Sequence, residues 1–329
     1  TKSNLEGLEA GVKAGISEQG DAETISVYAL GGRTFDSFGN ITIGVNATRT
    51  EGLIGADRPF SSTPYGFALN DVRSNAPDAA FLPGFGGSSI SERGYFSGVL
   101  LDTGEFRPFS SNDVWIPQSD GSVSPLSGAS NQLFNWAAWQ SVVLPSDRIL
   151  GQFTYNTDLS KDWSFFVDYH AGVSATNGQL APLPATALRG GDPTTGDAAV
   201  IPLINPTLPQ SIRDLAAAEF GAAVSAVVFD HRYLELGPRR LNVDRRYQDL
   251  ASGVRYAADN GFELALTYRF ARNRTAEKER GRLDLNKLQI ALNPVACSAV
   301  PDCVEVDFFT SPSISFAAID FLRTPELRN

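Results

Sequence analysis

The chain has 329 residues, with 27 Lys+Arg against 37 Asp+Glu for a net charge of −10, two His, two Cys and no Met. The acidic balance (sequence pI about 4.8) argues against a nucleic-acid partner, and a hydrophobic content of 42% excludes a disordered chain. No apolar run reaches the roughly 18 residues of a transmembrane helix, but a mean hydropathy of −0.12 leaves a membrane β-barrel open, because lipid-facing and lumen-facing residues average out along each strand.

In chain order, GLEAGVKAGIS (7–17) sets Leu8, Ala10, Val12, Ala14 and Ile16 against Glu9, Lys13 and Ser17. TISVYALGGRTF (24–35) follows a charged turn, and GNITIGVNATRT alternates Ile41, Ile43, Val45 and Ala47 with Thr42, Asn46 and Thr48. Next, DRILGQFTYNTDLSKDWSFFVDYHAG (147–172) sets Ile149, Phe153, Tyr155, Trp163, Phe165, Val167 and Tyr169 against Gln152, Thr154, Asn156, Asp168 and His170. RRYQDLASGVRYAA and GFELALTYRFAR form a last pair about Asp259-Asn260-Gly261. Period two sustained over about ten residues is a strand signature, and about 9 to 11 residues is the length a tilted strand needs to cross a bilayer. Seven such strands are expected, at about 7–17, 24–35, 41–50, 148–159, 163–175, 245–257 and 262–273.

Short connections (DSFGN, SKD, ADNG) alternate with long ones at about 51–147, 176–244 and 274–329. Structureless loops beyond about 12 to 15 residues are uncommon in compact soluble domains. Strict sorting into short turns and long loops is the habit of an outer-membrane barrel. Within the long loops, AAAEFGAAVSAVVF (216–229) reads as a short amphipathic helix and His231, beside Arg232, as an exposed loop residue. An odd strand count cannot close a bacterial barrel, and an open edge cannot face hydrocarbon. The chain is therefore either part of a larger barrel or a soluble protein whose strands mimic one.

The opening NLEGLEAGVKAGISEQGDAETISVYALGGRTFDSFGNITIGVN resembles the first barrel strands of TonB-dependent outer-membrane receptors, just after their plug domain. NQLFNWAAWQSVVLPSDRILGQFTYNTDLSKDWSFFVDYHAGVSATNGQLAP and RYLELGPRRLNVDRRYQDLASGVRY resemble later strands of the same family, in collinear order. ACSAVPDCVEVDFFTSPSISFAAIDFL is similar to its Cys-flanked loop, with Val306-Asp307 where Leu-Asn is usual. The resemblance implies an all-β, antiparallel transmembrane β-barrel of about 22 strands around a plugged lumen. This chain would supply its first third, without plug, TonB box or aromatic final strand.

By that resemblance the protein is no enzyme and takes no cofactor. It is an active-transport receptor of the cell outer membrane that binds a scarce solute (siderophore, corrinoid, oligosaccharide or similar) and imports it with TonB-transmitted energy. Its partners would be outer-membrane lipid, TonB acting through a plug outside this chain, the remaining strands and the solute. A passive porin-like or adhesin barrel, and a soluble all-β glycan-binding protein, are the alternatives.

Candidate residues follow from these readings. Asp168 and His170 share one strand face; they are either an acid–base or metal pair, or simply lumen-lining polarity, the latter being expected since no third ligand is in sight. Arg255 and Arg269 fall on the lumen-facing rows, where they either form internal ion pairs or line the path of an anionic ligand. Trp136 and Trp139 either stack on a ligand or pack their loop. In an oxidising envelope, Cys297 and Cys303 are expected to form a small loop disulfide. GFGG (84–87) lacks the context of a phosphate cradle, and GDPTTGD (191–197) lacks the spaced oxygens of an EF-hand loop.

Overall fold

A computed structural model describes residues 5–36, 39–68, 80–83, 86–109, 114–125, 133–186, 198–310, 313–324 and 327–328. The protein is mostly β, built from antiparallel sheets with few helices. The principal sheet is an up-and-down meander of seven long strands. These are β1 (Gly7–Gly15), β2 (Thr24–Phe35), β3 (Gly39–Thr50), β5 (Ser146–Asp158), β6 (Trp163–Leu180), β8 (Arg239–Ala257) and β9 (Glu263–Arg280). They pair in that order, and the short strand Leu327–Arg328 joins β9 at Lys278 and Glu279. All seven expected strands are present. The last three run further than the alternation indicated: residues 176–180, 239–244 and 274–280, expected as loop, are strand. Their polar outer ends had obscured the period.

Register matters here, because a one-residue slip would turn every side chain to the opposite face. It aligns the apolar rows of all seven strands. One cross-strand row reads Ile43, Phe153, Tyr169, Leu250, Phe270. The neighbouring row on the other face reads Gln152, His170, Asp249, and the next Thr42, Thr154, Asp168, Ala251, Arg269. The apolar face is bare: Leu8, Val12, Leu266 and Tyr268 are 79%, 72%, 71% and 63% exposed. At the end of the sheet that carries the tight turns, Trp163, Tyr256 and Phe262 form an aromatic row, with ring centroids 4.9 and 6.4 Å apart.

The hydrophobic core lies elsewhere. At the other end of the sheet the long connections build a second, smaller sheet around β4 (Tyr95–Leu101) and β7 (Val224–Tyr233). Helices α1 (Gln210–Phe220), α2 (Leu285–Leu292) and α4 (Phe316–Leu322) pack into its core, and α3 (Pro294–Ser298) packs on α2. Phe96, Val99, Ile201, Ile212, Val227, Phe229, Leu288, Leu292, Ile319 and Leu322 are all essentially inaccessible there. The helix starts are locally encoded. The Asp284 carboxylate accepts from Asn286 N and Lys287 N at 3.0 and 3.2 Å, Asn293 caps α3 ahead of Pro294, and Ser315 caps α4.

Two expectations are corrected in this region. Residues 216–229 do not form one helix: α1 ends at Phe220 before Gly221, and Val224 begins a strand, because VSAVVF is a β-branched run buried on both sides. His231 is not an exposed loop residue. It lies inside β7, 6% exposed, paired in register with Ala185.

Candidate functional site

The polar face of the long sheet carries a shallow hollow of about 300 Å³ lined by Tyr28, Leu30, Asn46, Gln152, His170 and Tyr247, among others. Two adjacent cross-strand rows supply it. Tyr28, Asn46, Leu150, Gly172 and Tyr247 form one; Leu30, Gly44, Gln152 and His170 form the other. Glycines make the room. A Cβ on Gly44 would come within 2.8 Å of the Leu30 side chain and 2.9 Å of Gln152, and one on Gly172 within 2.4 Å of the Tyr247 ring. Gly11 admits the Tyr28 ring in the same way. Large side chains therefore lie across the strands instead of standing off them, which leaves an amphipathic concavity with hydrogen-bonding rims.

Charge borders the hollow. His170 faces Asp249 directly in register, and Arg269 grips that carboxylate through Nε and Nη2 at 2.9 and 2.6 Å. Asp168 lies one row further on. The structure thus brings Asp168, His170 and Arg269 onto one face, with His170 lining the hollow. Arg255 sits nearer the tight turns, its guanidinium 4.2 Å from the Phe166 ring centroid. Among the described residues no group of three or more His, Cys, Asp or Glu forms a metal cluster.

At the loop end, a second hollow of about 340 Å³ is lined by Glu92, Arg93, Phe134, Asn135, Trp139 and Leu234, among others. Trp139 opens onto it and stacks on Phe134 at 6.5 Å. Trp136 instead ties its loop down, its indole donating to Gly86 O at 2.7 Å. The backbone at Trp139 is anchored as well, its carbonyl accepting from Gln179 Nε2 at 3.0 Å.

Sequence reasoning passed over Arg232. It is almost wholly buried and donates to Ile90 O and Pro182 O at 2.8 Å and to Ser88 Oγ at 3.0 Å, with Phe134 under its guanidinium at 4.3 Å. Burial, with Arg239 nearby, lowers its pKa to about 10. It clamps together the segments around residues 88–90, 134 and 182. Its position within an apolar β-branched run was the available signal.

Cys297 and Cys303 are bonded to each other, closing the end of α3. GDPTTGD lies outside the described residues, and so does the first half of GFGG. No protein-family model matches the chain, and no curated protein matches it.

Proposed function

We propose that the chain is part of the wall of a transmembrane β-barrel in the cell outer membrane, in a TonB-dependent receptor that imports a scarce solute. One observation carries this reading: the long sheet exposes a continuous apolar face across seven strands, while the protein's hydrophobic core is built at one end from the loops. A soluble sheet buries its apolar face against a second layer; here the layer would be lipid. From Trp163 to Val173 the apolar row spans about 33 Å along the strand. Tilted by about 40°, it supplies the band roughly 25 Å tall of such barrels. The aromatic row at the tight turns then marks the periplasmic interface, and the loop module stands outside the cell. Further strands would join β1 and β9 to close the wall, and the polar hollow of Tyr28, Gln152, His170 and Tyr247 would face the plug and the solute's path.

The test is substitution of neighbours on opposite faces of β9 in the intact protein. Leu266→Arg should cost about 2–4 kcal/mol of stability in the membrane and deplete the protein from the outer membrane. Thr267→Arg, one residue on, should assemble normally. Solute accumulation should cease in cells lacking TonB. Recovery of the wild type as a soluble monomer, or equal tolerance of both substitutions, would sink the reading.

A further inference from the structure

The outer half of β9 sorts its charges by face. Arg272, Arg274, Lys278 and Arg280 share the parity of the apolar row, whereas Asn273, Thr275, Glu277 and Glu279 share that of the polar row. Strand β8 adds Arg246 directly opposite Arg274, with Gln248 opposite Arg272. Like charges set opposite each other on neighbouring strands repel. Among the described residues, no carboxylate lies within ion-pair distance of Arg246, Arg272 or Arg274, and all three side chains are exposed. Asp244 shares their face, but its register partner is Ala276.

These cations border a groove of about 440 Å³ whose floor is apolar and small: Gly151, Ala171 and Val173. A Cβ added to Gly151 would meet nothing closer than Ala171 O at 3.9 Å, so the floor is open. The arginines stand at the loop-end limit of the apolar face, in the rows of Val173 and Ile149 and of Ala171 and Gly151. An occupant must therefore carry anionic oxygens at the level of the guanidiniums and hydrocarbon below them. A bare phosphate satisfies the first requirement only, and an acidic protein would leave the apolar floor wet.

We propose that this groove binds a phosphate-bearing lipid of the outer leaflet, its headgroup phosphates held by Arg246, Arg272 and Arg274 and an acyl chain laid over Gly151 and Ala171. Arginine suits the task because its planar fork engages phosphate oxygens bidentately. The bound lipid relieves the repulsion between Arg246 and Arg274. The inference rests on the barrel reading above, and its test separates the two.

The intact protein is reconstituted into vesicles of phosphatidylcholine alone and of phosphatidylcholine with lipid A. It is then extracted in mild detergent, and retained lipid is counted by native mass spectrometry. Wild type should retain lipid A. The triple variant R246Q/R272Q/R274Q should lose about a hundredfold in retention, as expected for three cations at a charged lipid surface. Arg245→Gln, on the opposite face of the same strand, should retain lipid A normally, and inorganic phosphate should not displace it. Insertion into both vesicle types with no retained lipid A, or with equal retention by the triple variant, overturns the lipid site and leaves the barrel standing. Displacement by inorganic phosphate also overturns it, identifying a soluble anion as the occupant. Failure of the wild type to insert into either vesicle overturns the barrel reading, and this inference falls with it.

Discussion

Tyr247 fills the space above Gly172: the two are direct cross-strand partners, and a Cβ on the glycine would lie 2.4 Å from the ring. The ring can lie across β6 only because that position has no side chain. Gly172→Val should therefore expel Tyr247 from the hollow and strain Leu150, whose Cδ2 would be 2.8 Å from the new Cβ. The expected cost is about 1–3 kcal/mol, typical of overpacking. A double-mutant cycle with Tyr247→Ala, followed by denaturant unfolding in detergent, should show strong coupling. Simple additivity would mean the ring was not the obstacle.

The turn after β1 is tied to the loop after β3 by Arg58, which donates through Nη1 to Asp21 Oδ2 at 2.7 Å and through Nη2 to Oδ1 and Ser17 Oγ. Arg58, with the Ser17 hydroxyl, lowers the Asp21 pKa to about 2. A carboxylate whose folded pKa lies below its unfolded value of roughly 3.9 stabilises the fold above that value and loses the effect as pH falls towards 2. Limited proteolysis within 51–62 should thus accelerate as pH drops from about 4 to 2 in the wild type. Arg58→Ala should already be fast at neutral pH, with little further change; an unchanged acid profile would count against the tie.

The strands were legible because a half-buried or half-exposed sheet writes period two into the chain, and Gly-rich turns punctuate it. Which medium meets the apolar row is not written there: Leu266 and Phe270 alternate identically against lipid or a second protein layer. The loop module was illegible for a different reason. Apart from β4 and β7, its described strands are three or four residues long, such as Phe106–Pro108 and Ala199–Pro202, too short to show a period. In β7 the run Asp230-His231-Arg232 looks solvated but is buried, with Arg232 satisfied by carbonyls up to 142 residues away in sequence. Of the site residues, the face shared by Asp168, His170 and Arg269 followed from parity, whereas Tyr28 and Asn46 needed the register of strands distant in sequence.

The Cys297–Cys303 disulfide should matter locally. It clips α3, whose Cys297 side chain is buried against the module, while the flanking Val306 amide donates to Ala291 O at 3.1 Å. Closing so short a loop contributes about 2–3 kcal/mol on the chain-entropy account. The double variant Cys297→Ser/Cys303→Ser should raise amide exchange across 293–309 and leave β5, β6 and β8 protected. Exchange spreading into those strands would show that module and long sheet unfold as one unit.

His231 should make the loop module sensitive to acid. Its ring stands 4.8 Å from Phe308, 4.9 Å from Tyr233 and 5.8 Å from Phe229, and neither ring nitrogen has a hydrogen-bond partner. Burial, reinforced by the adjacent Arg232 charge, lowers its pKa to about 3. The folded module therefore holds the imidazole neutral, while the unfolded chain takes up a proton near pH 6.5. By linkage, stability is full above about 6.5 and declines continuously as pH falls towards 3. His231→Phe keeps the aromatic packing and removes both unpaired nitrogens, at a packing cost below about 1.5 kcal/mol. Amide exchange of β7 at pH 5 should then be slower in the variant than in the wild type, with the two converging or reversing at pH 8. A pH slope left intact in His231→Phe would show that the buried imidazole is not its source.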